Sequence, residues 1–203
     1  MRKLNFTTLV AVAGILLCGC SPVKCLFPLY TDSDKLFDGT LIGEWKTAPD
    51  KNQKGEGSGA DANDRWIFQK TQDHLSYDCS QVTLGKKGVV WSTAKLVKLG
   101  NALFLDFEPG PAFPEGAQDV YYPSIDAHAI ARIWLDKDEL MIRFLDEKWA
   151  WKQIHESKFS LSYLDAPTAL VVTASTEELR KFVTAHADDK DAFSVEHRLF
   201  RVK

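Results

Sequence analysis

From residue 41 onward the chain alternates apolar and polar positions in short runs, and the aromatics make the alternation plain. Trp66 and Phe68 stand two apart, as do Leu75, Tyr77 and Cys79. Successive side chains of a strand point to opposite faces, so this period predicts strands with one buried face. The runs place strands at residues 41–46, 65–70, 75–80, 88–99, 102–107, 127–135 and 139–145. Between them stand compact polar turns, Gln72-Asp73, Gly85-Lys86-Lys87-Gly88, Gly100-Asn101 and Asp136-Lys137-Asp138, of the length that joins antiparallel neighbours. Seven strands in succession with such turns predict a meander.

Two connections are longer. Residues 48–64 contain Gly55-Glu56-Gly57-Ser58-Gly59 and read as a flexible tip. Residues 108–124 contain Pro109, Pro111, Pro114 and Pro123 with Phe113, Tyr121 and Tyr122, a packed surface loop in preference to a lid over a pocket. Past Asp146 the period changes. Residues 147–157 fit a short helix, 170–173 a short strand, and Ser175-Thr176-Glu177-Glu178 has the capping-box spacing that opens a helix over residues 176–187. Alternation returns at 195–202, a last strand for the sheet. The expected fold is mostly β, of the α+β kind: an antiparallel meander of about eight strands, closing into a barrel that leaves no exposed edge, with one or two C-terminal helices. Residues 41–203 form that single domain, and residues 20–40, without a sustained period, are its tether and lead-in.

The first residues follow another logic. Arg2 and Lys3 precede an apolar run from Phe6 to Leu17, which ends at the small residue Gly19. A basic start, a short apolar stretch and a small-residue exit are the order of a secretory signal over residues 1–19. The run is well short of the roughly 20 residues that cross a bilayer core, so a permanent membrane helix fits less well. Leu17-Cys18-Gly19-Cys20 resembles the lipobox of bacterial lipoproteins. The resemblance implies cleavage between Gly19 and Cys20, acylation of Cys20, and a lipid anchor on a bacterial envelope membrane. Because Ser21 rather than Asp follows the lipidated position, it also implies an outer-membrane, periplasm-facing address. Of the four cysteines, Cys25 and Cys79 then remain as thiols in an oxidising compartment. A disulfide between them and two separate thiols are both open.

Composition adds boundaries. The chain has 203 residues, 45% hydrophobic and 26% charged, a globular balance. Loss of Arg2 and Lys3 with the signal takes the formal net charge from −3 to −5 without leaving a basic stripe, which argues against nucleic-acid binding.

Gly43-Glu44-Trp45 on the first strand resembles the G-x-W motif of lipocalin-like domains. In that resemblance Trp45 plugs the closed end of the barrel and Gly43 permits close packing against it. The lead-in Phe27-Pro28-Leu29-Tyr30-Thr31 and the later Thr173-Ala174-Ser175-Thr176-Glu177-Glu178-Leu179 are also similar to small envelope lipoproteins, a likeness that supplies no activity. Trp45, Trp66, Tyr77, Trp91, Phe104 and Trp134 form an aromatic set at strand spacing. They could line a pocket for a hydrophobic molecule or simply fill the core of a barrel just wide enough for side chains.

The search for chemistry returns little. Neither phosphate-binding glycine motif occurs. His155-Glu156 opens a zinc-helix pattern, but Phe159 stands where the second ligand belongs, and no metal site is expected. Asp32, Asp34 and Asp38-Gly39 approach a calcium loop, but Leu36 occupies a ligand position. Ser92-Thr93-Ala94-Lys95 has the S-x-x-K spacing of penicillin-interacting serine enzymes, yet lies in a strand where that geometry fails. Glu44, Glu108, Glu115 and Asp119 could meet at a barrel mouth. The expectation is a lipid-anchored, non-catalytic protein without a cofactor. Its barrel binds a hydrophobic small molecule or, alternatively, has a filled core and docks another envelope protein.

Overall fold

The computed structural model describes residues 22–47, 65–82, 89–110, 126–166 and 169–203. In chain order the elements are β1 (Lys24–Cys25), β2 (Lys35–Leu36), a 3-10 turn (Gly39–Leu41), β3 (Gly43–Thr47), β4 (Arg65–Lys70), β5 (Tyr77–Val82), β6 (Val89–Leu99) and β7 (Ala102–Pro109). Then come β8 (His128–Leu135), β9 (Glu139–Phe144), α1 (Glu147–His155), β10 (Tyr163–Ala166), β11 (Ala169–Val172), α2 (Thr176–Ala185) and β12 (Val195–Arg201).

The meander runs from β3 to β9 as read from the alternation, and β12 enters between β9 and β3. Since β8 and β9 also pair, β3-β4-β5-β6-β7-β8-β9-β12 is a closed, eight-stranded antiparallel barrel, lipocalin-like in architecture. Closure leaves no barrel edge to be blunted. β1 extends the sheet from the start of β8 and carries β11 and then β10 outward as a small wing. The segment 22–41 is built into this body: Val23 N–H donates to Leu145 at 2.9 Å, and Leu26 N–H to Val172 at 2.8 Å.

Short connections gather at one end of the barrel. Gly100, at φ +59°, supplies the left-handed residue of the two-residue turn between Leu99 and Ala102. The β4–β5 turn is tied by Asp73, which accepts from Leu75 N–H at 3.0 Å and from the hydroxyls of Thr71 and Ser76. Those bonds, the Thr71 hydroxyl foremost, bring its carboxyl down to about 2. At the other end β3, β5 and β7 finish and β4, β6 and β8 begin; the intervening residues 48–64, 83–88 and 111–125 lie outside the described set, and with them the readings of a flexible tip and a proline-rich loop.

Two cores result, one on each side of the barrel wall. The lumen holds Trp45, Trp66, Phe68, Tyr77, Leu96, Phe107, Ile133, Leu140 and their neighbours. The second core lies between the outer face of β6–β8 and the helices; in it Phe104, Ile130, Trp149, Leu179, Phe182 and Phe193 meet Val23, Cys25 and Leu29 from the lead-in. Both helices open on a cap. Asp146 accepts from Lys148 and Trp149 N–H at the start of α1, and Ser175 and Glu178 form a reciprocal capping box on α2.

Candidate ligand-binding lumen

The closed end is built around Trp45. Its indole N–H donates to Leu41 C=O at 3.0 Å, and the Arg201 guanidinium lies 4.2 Å from its ring centroid. Arg201 is held there by Ile42 C=O at 2.9 Å, by Lys137 C=O at 2.8 Å and by Thr40 C=O, so the cation spans the barrel floor as a strut. Gly43 makes room. Its φ is +134°, and a Cβ on it would stand 2.8 Å from Arg201 Nη1. Beside this strut Tyr77 stacks on Phe37 at 5.1 Å, and its phenol oxygen accepts from Asp38 N–H at 2.7 Å. Burial pushes the phenol up to about 12.

Toward the opposite end the lumen is lined by Trp66, Phe107, Phe144 and His197, whose rings meet edge to face or tilted at 5.1–6.5 Å between centroids. Burial among these rings lowers the His197 pKa and keeps the imidazole neutral. Ser92 and Cys79 are register partners and share the lumen face. Among the described residues the fully buried Ser92 hydroxyl faces the weakly polar Cys79 thiol, and burial pushes that thiol up to about 12. The described lining is thus mostly apolar with a few isolated polar groups, the composition usual for a site that takes a small apolar ligand.

The structure sorts the aromatic set by face. Trp45, Trp66 and Tyr77 are in the lumen. Phe104 is not: it points outward from β7 into the second core, 6.0 Å from Phe193. Trp134 is outside as well, half-buried, with the guanidiniums of Arg132 and Arg143 over its ring at 4.4 and 5.4 Å. Trp91 sits where the β5–β6 register skips a residue, and its side chain lies outside the described set. The Cys25–Cys79 disulfide left open by the sequence is not formed. The two thiols are free and buried in different cores, with the barrel wall between them. Burial, reinforced by the Asp106 charge, holds the Cys25 thiol far above its ordinary range.

The other candidates have structural partners. Ser92 and Lys95, three apart on a strand, point to opposite faces of β6, so no serine–lysine pair exists. Outside the barrel, Lys95 donates to Glu108 at 2.7 Å and to the Tyr30 phenol at 2.5 Å. Burial opposes the Lys95 charge, but these bonds outweigh it and raise its pKa. Next to them Asp106, fully buried, accepts from Leu29 N–H at 2.6 Å and meets His128 Nδ1 at 2.7 Å. This polar cluster pins the lead-in to the barrel wall. Glu44 pairs with Arg65, and Glu115 and Asp119 lie outside the described residues. Asp34 pairs with Arg180 at 2.6 Å, and Asp38 caps the 3-10 turn. His155 bonds to Trp151 C=O at 2.8 Å. Among the described residues no three His, Cys, Asp or Glu side chains gather as a metal site. A shallow open cleft of about 560 Å³ beside the closed end is lined by Lys46, Asp138, Phe200, Arg201, Val202 and Lys203, and its guanidinium already serves the strut.

Arg201, Phe107, Phe144 and His197 are lumen residues that the alternation alone did not single out. Within the last strand His197, Leu199 and Arg201 share one parity, so the signal was present once Leu199 was placed inside.

No protein-family model matches the chain, and no curated protein or solved structure matches it. The functional reading therefore rests on sequence and geometry.

Proposed function

We propose that this protein is a membrane-anchored envelope lipoprotein, non-catalytic, whose barrel binds a hydrophobic small molecule. The observation that carries the reading is the lumen's asymmetry. One end is closed by Trp45, Arg201, Tyr77 and Phe37, while the half away from it is lined by Trp66, Phe107 and Phe144 with His197 and Ser92 as polar points. The anchor rests on Leu17-Cys18-Gly19-Cys20, which lies outside the described residues. Among the described residues no helix is long and apolar enough to cross a membrane.

Titration with a fluorescent polyene fatty acid tests the ligand. Energy transfer from Trp66 is expected to saturate at one molecule per chain. Phe107→Arg, in the half of the lumen away from the strut, should weaken binding at least about 10-fold, a loss of roughly 1.4 kcal/mol. Trp134→Ala, on the outer wall, should leave it unchanged. A wild-type signal that never saturates contradicts the proposal.

A second reading, docking of another envelope protein, is favoured by β10, the edge strand of the wing among the described residues, where Tyr163 and Leu164 are 41% and 54% exposed. It predicts no saturable ligand and a partner lost when Leu164 is replaced by a charge.

A further inference from the structure

The point at which the folded body begins fixes how it can stand on its anchor, an inference that rests on acylation of Cys20 as proposed above. Pro22 is bridged to Asp146, and Val23 N–H is bonded to Leu145 C=O at 2.9 Å. Only Ser21 separates Pro22 from Cys20. Two residues span at most about 7 Å when fully extended, so the body cannot swing away from the lipid on a long leash.

The attachment point is at the end of the barrel opposite the Trp45–Arg201 strut, where β7 finishes and β8 begins. Asp146 lies two residues beyond Phe144, a member of the lumen's aromatic ring, and two residues of strand rise about 7 Å. β1 joins the sheet at His128 and Ala129, where β8 begins, which is again that end. With the roughly 5 Å between bridged partners added, the acylated cysteine is within about 20 Å of a lumen-lining ring, less than the roughly 30 Å hydrocarbon thickness of a bilayer. The floor is out of reach. From the β8 end near Pro22 to the β8–β9 turn the wall runs the eight residues of β8, more than 20 Å along the strand, so two residues of chain cannot bring the closed end to the membrane.

The surface beside the attachment suits a lipid interface. Lys24 and Leu164 flank Val171 in register on the outward face of the β1–β11–β10 wing, Lys24 exposed and Leu164 54% exposed. A leucine with a lysine beside it places apolar surface among acyl chains and a cation among anionic headgroups.

We propose that the barrel stands with the end opposite the Trp45–Arg201 strut toward the bilayer that holds Cys20, and that the apolar molecule it binds is a lipid of that membrane. A source held that close spares the ligand a long passage through water, the step that is costly for an apolar molecule.

Nitroxide labels on the processed, full-length protein in phosphatidylethanolamine–phosphatidylglycerol vesicles test this. One label is placed at Leu164→Cys on the wing and one at Asn101→Cys in the closed-end turn, both exposed; the buried Cys25 and Cys79 do not take the reagent. The ratio of relaxation by lipid-soluble oxygen to that by a water-soluble nickel complex should be at least several-fold higher at 164 than at 101. Insertion of ten Gly/Ser residues between Ser21 and Pro22 should bring the two ratios together. Equal ratios in the wild type, on protein whose N-terminal mass shows the acyl groups, overturn the orientation alone. Absence of those groups overturns the anchor reading and the orientation with it. A preference kept in full by the linker variant overturns the short tether as its cause.

Discussion

Gly43, Trp45 and Arg201 show how three residues far apart in sequence close one end of a barrel. The glycine's φ of +134° is disfavoured for any side chain, and a Cβ would meet Nη1 of a guanidinium whose three nitrogens each donate to a backbone carbonyl. Gly43→Ala should therefore cost about 1–3 kcal/mol, the range for imposed backbone strain. At roughly 2–4 °C per kcal/mol for a domain of this size, the loss is visible in a thermal melt. The neutral His197 sets a pH dependence. Its folded pKa is depressed below its unfolded value, so the unfolded chain binds the proton first and stability is lost as pH falls from the ordinary histidine value through the folded one. Above that window its contribution is fully present. Urea unfolding at a series of pH values should give His197→Phe a shallower fall toward acid than the wild type; parallel profiles would mean that the imidazole is solvated.

At the scale of elements, period-two alternation was enough to locate β3 to β9, because each has one face in the lumen and the polar turns between them are short. It was not enough to say which face is which. β6, β7 and β8 are covered on both sides, by the lumen and by the helices, so apolar residues occur at both parities. For that reason the sequence alone reads Phe104 and Trp134 as interior to the barrel, whereas their parity puts them on the outer wall. The α2 helix was legible from its capping spacing, and the structure forms both halves of the box: Ser175 N–H donates to Glu178 at 2.9 Å, and Ser175 Oγ accepts from Glu178 N–H at 3.4 Å. Ser175→Ala should destabilise by about 1 kcal/mol, read from the shift in urea midpoint at unchanged slope. The wing was only partly legible. A short strand at 170–173 was expected, but the two-residue β1 and its parallel pairing with β11 have no period to detect.

On the scale of the whole molecule, a segment without periodicity is built into the outer core of the barrel. Residues 22–41 carry no repeating pattern because their contacts are individual: Val23, Cys25 and Leu29 fill gaps in the outer core, Leu29 N–H ends on Asp106, and Arg180 bonds to Leu29 C=O and Asp34. Such contacts appear only when the partners, roughly 80 to 150 residues away, are in place. The candidate site was legible in the same uneven way. Trp45, Trp66 and Tyr77 could be read from strand spacing, whereas the strut of Arg201 and the ring of Phe107, Phe144 and His197 depend on how β12 closes the barrel. The account's central claim is a lipid-anchored barrel that carries an apolar molecule. Native mass spectrometry of protein taken from its own membranes in mild detergent tests it most directly, with Cys20→Ala alongside. The account predicts a chain beginning at Cys20 with covalent acyl mass that the variant lacks, and a further non-covalent adduct of lipid size. A wild type with its N-terminus uncleaved, or one acylated but free of any adduct, would contradict it.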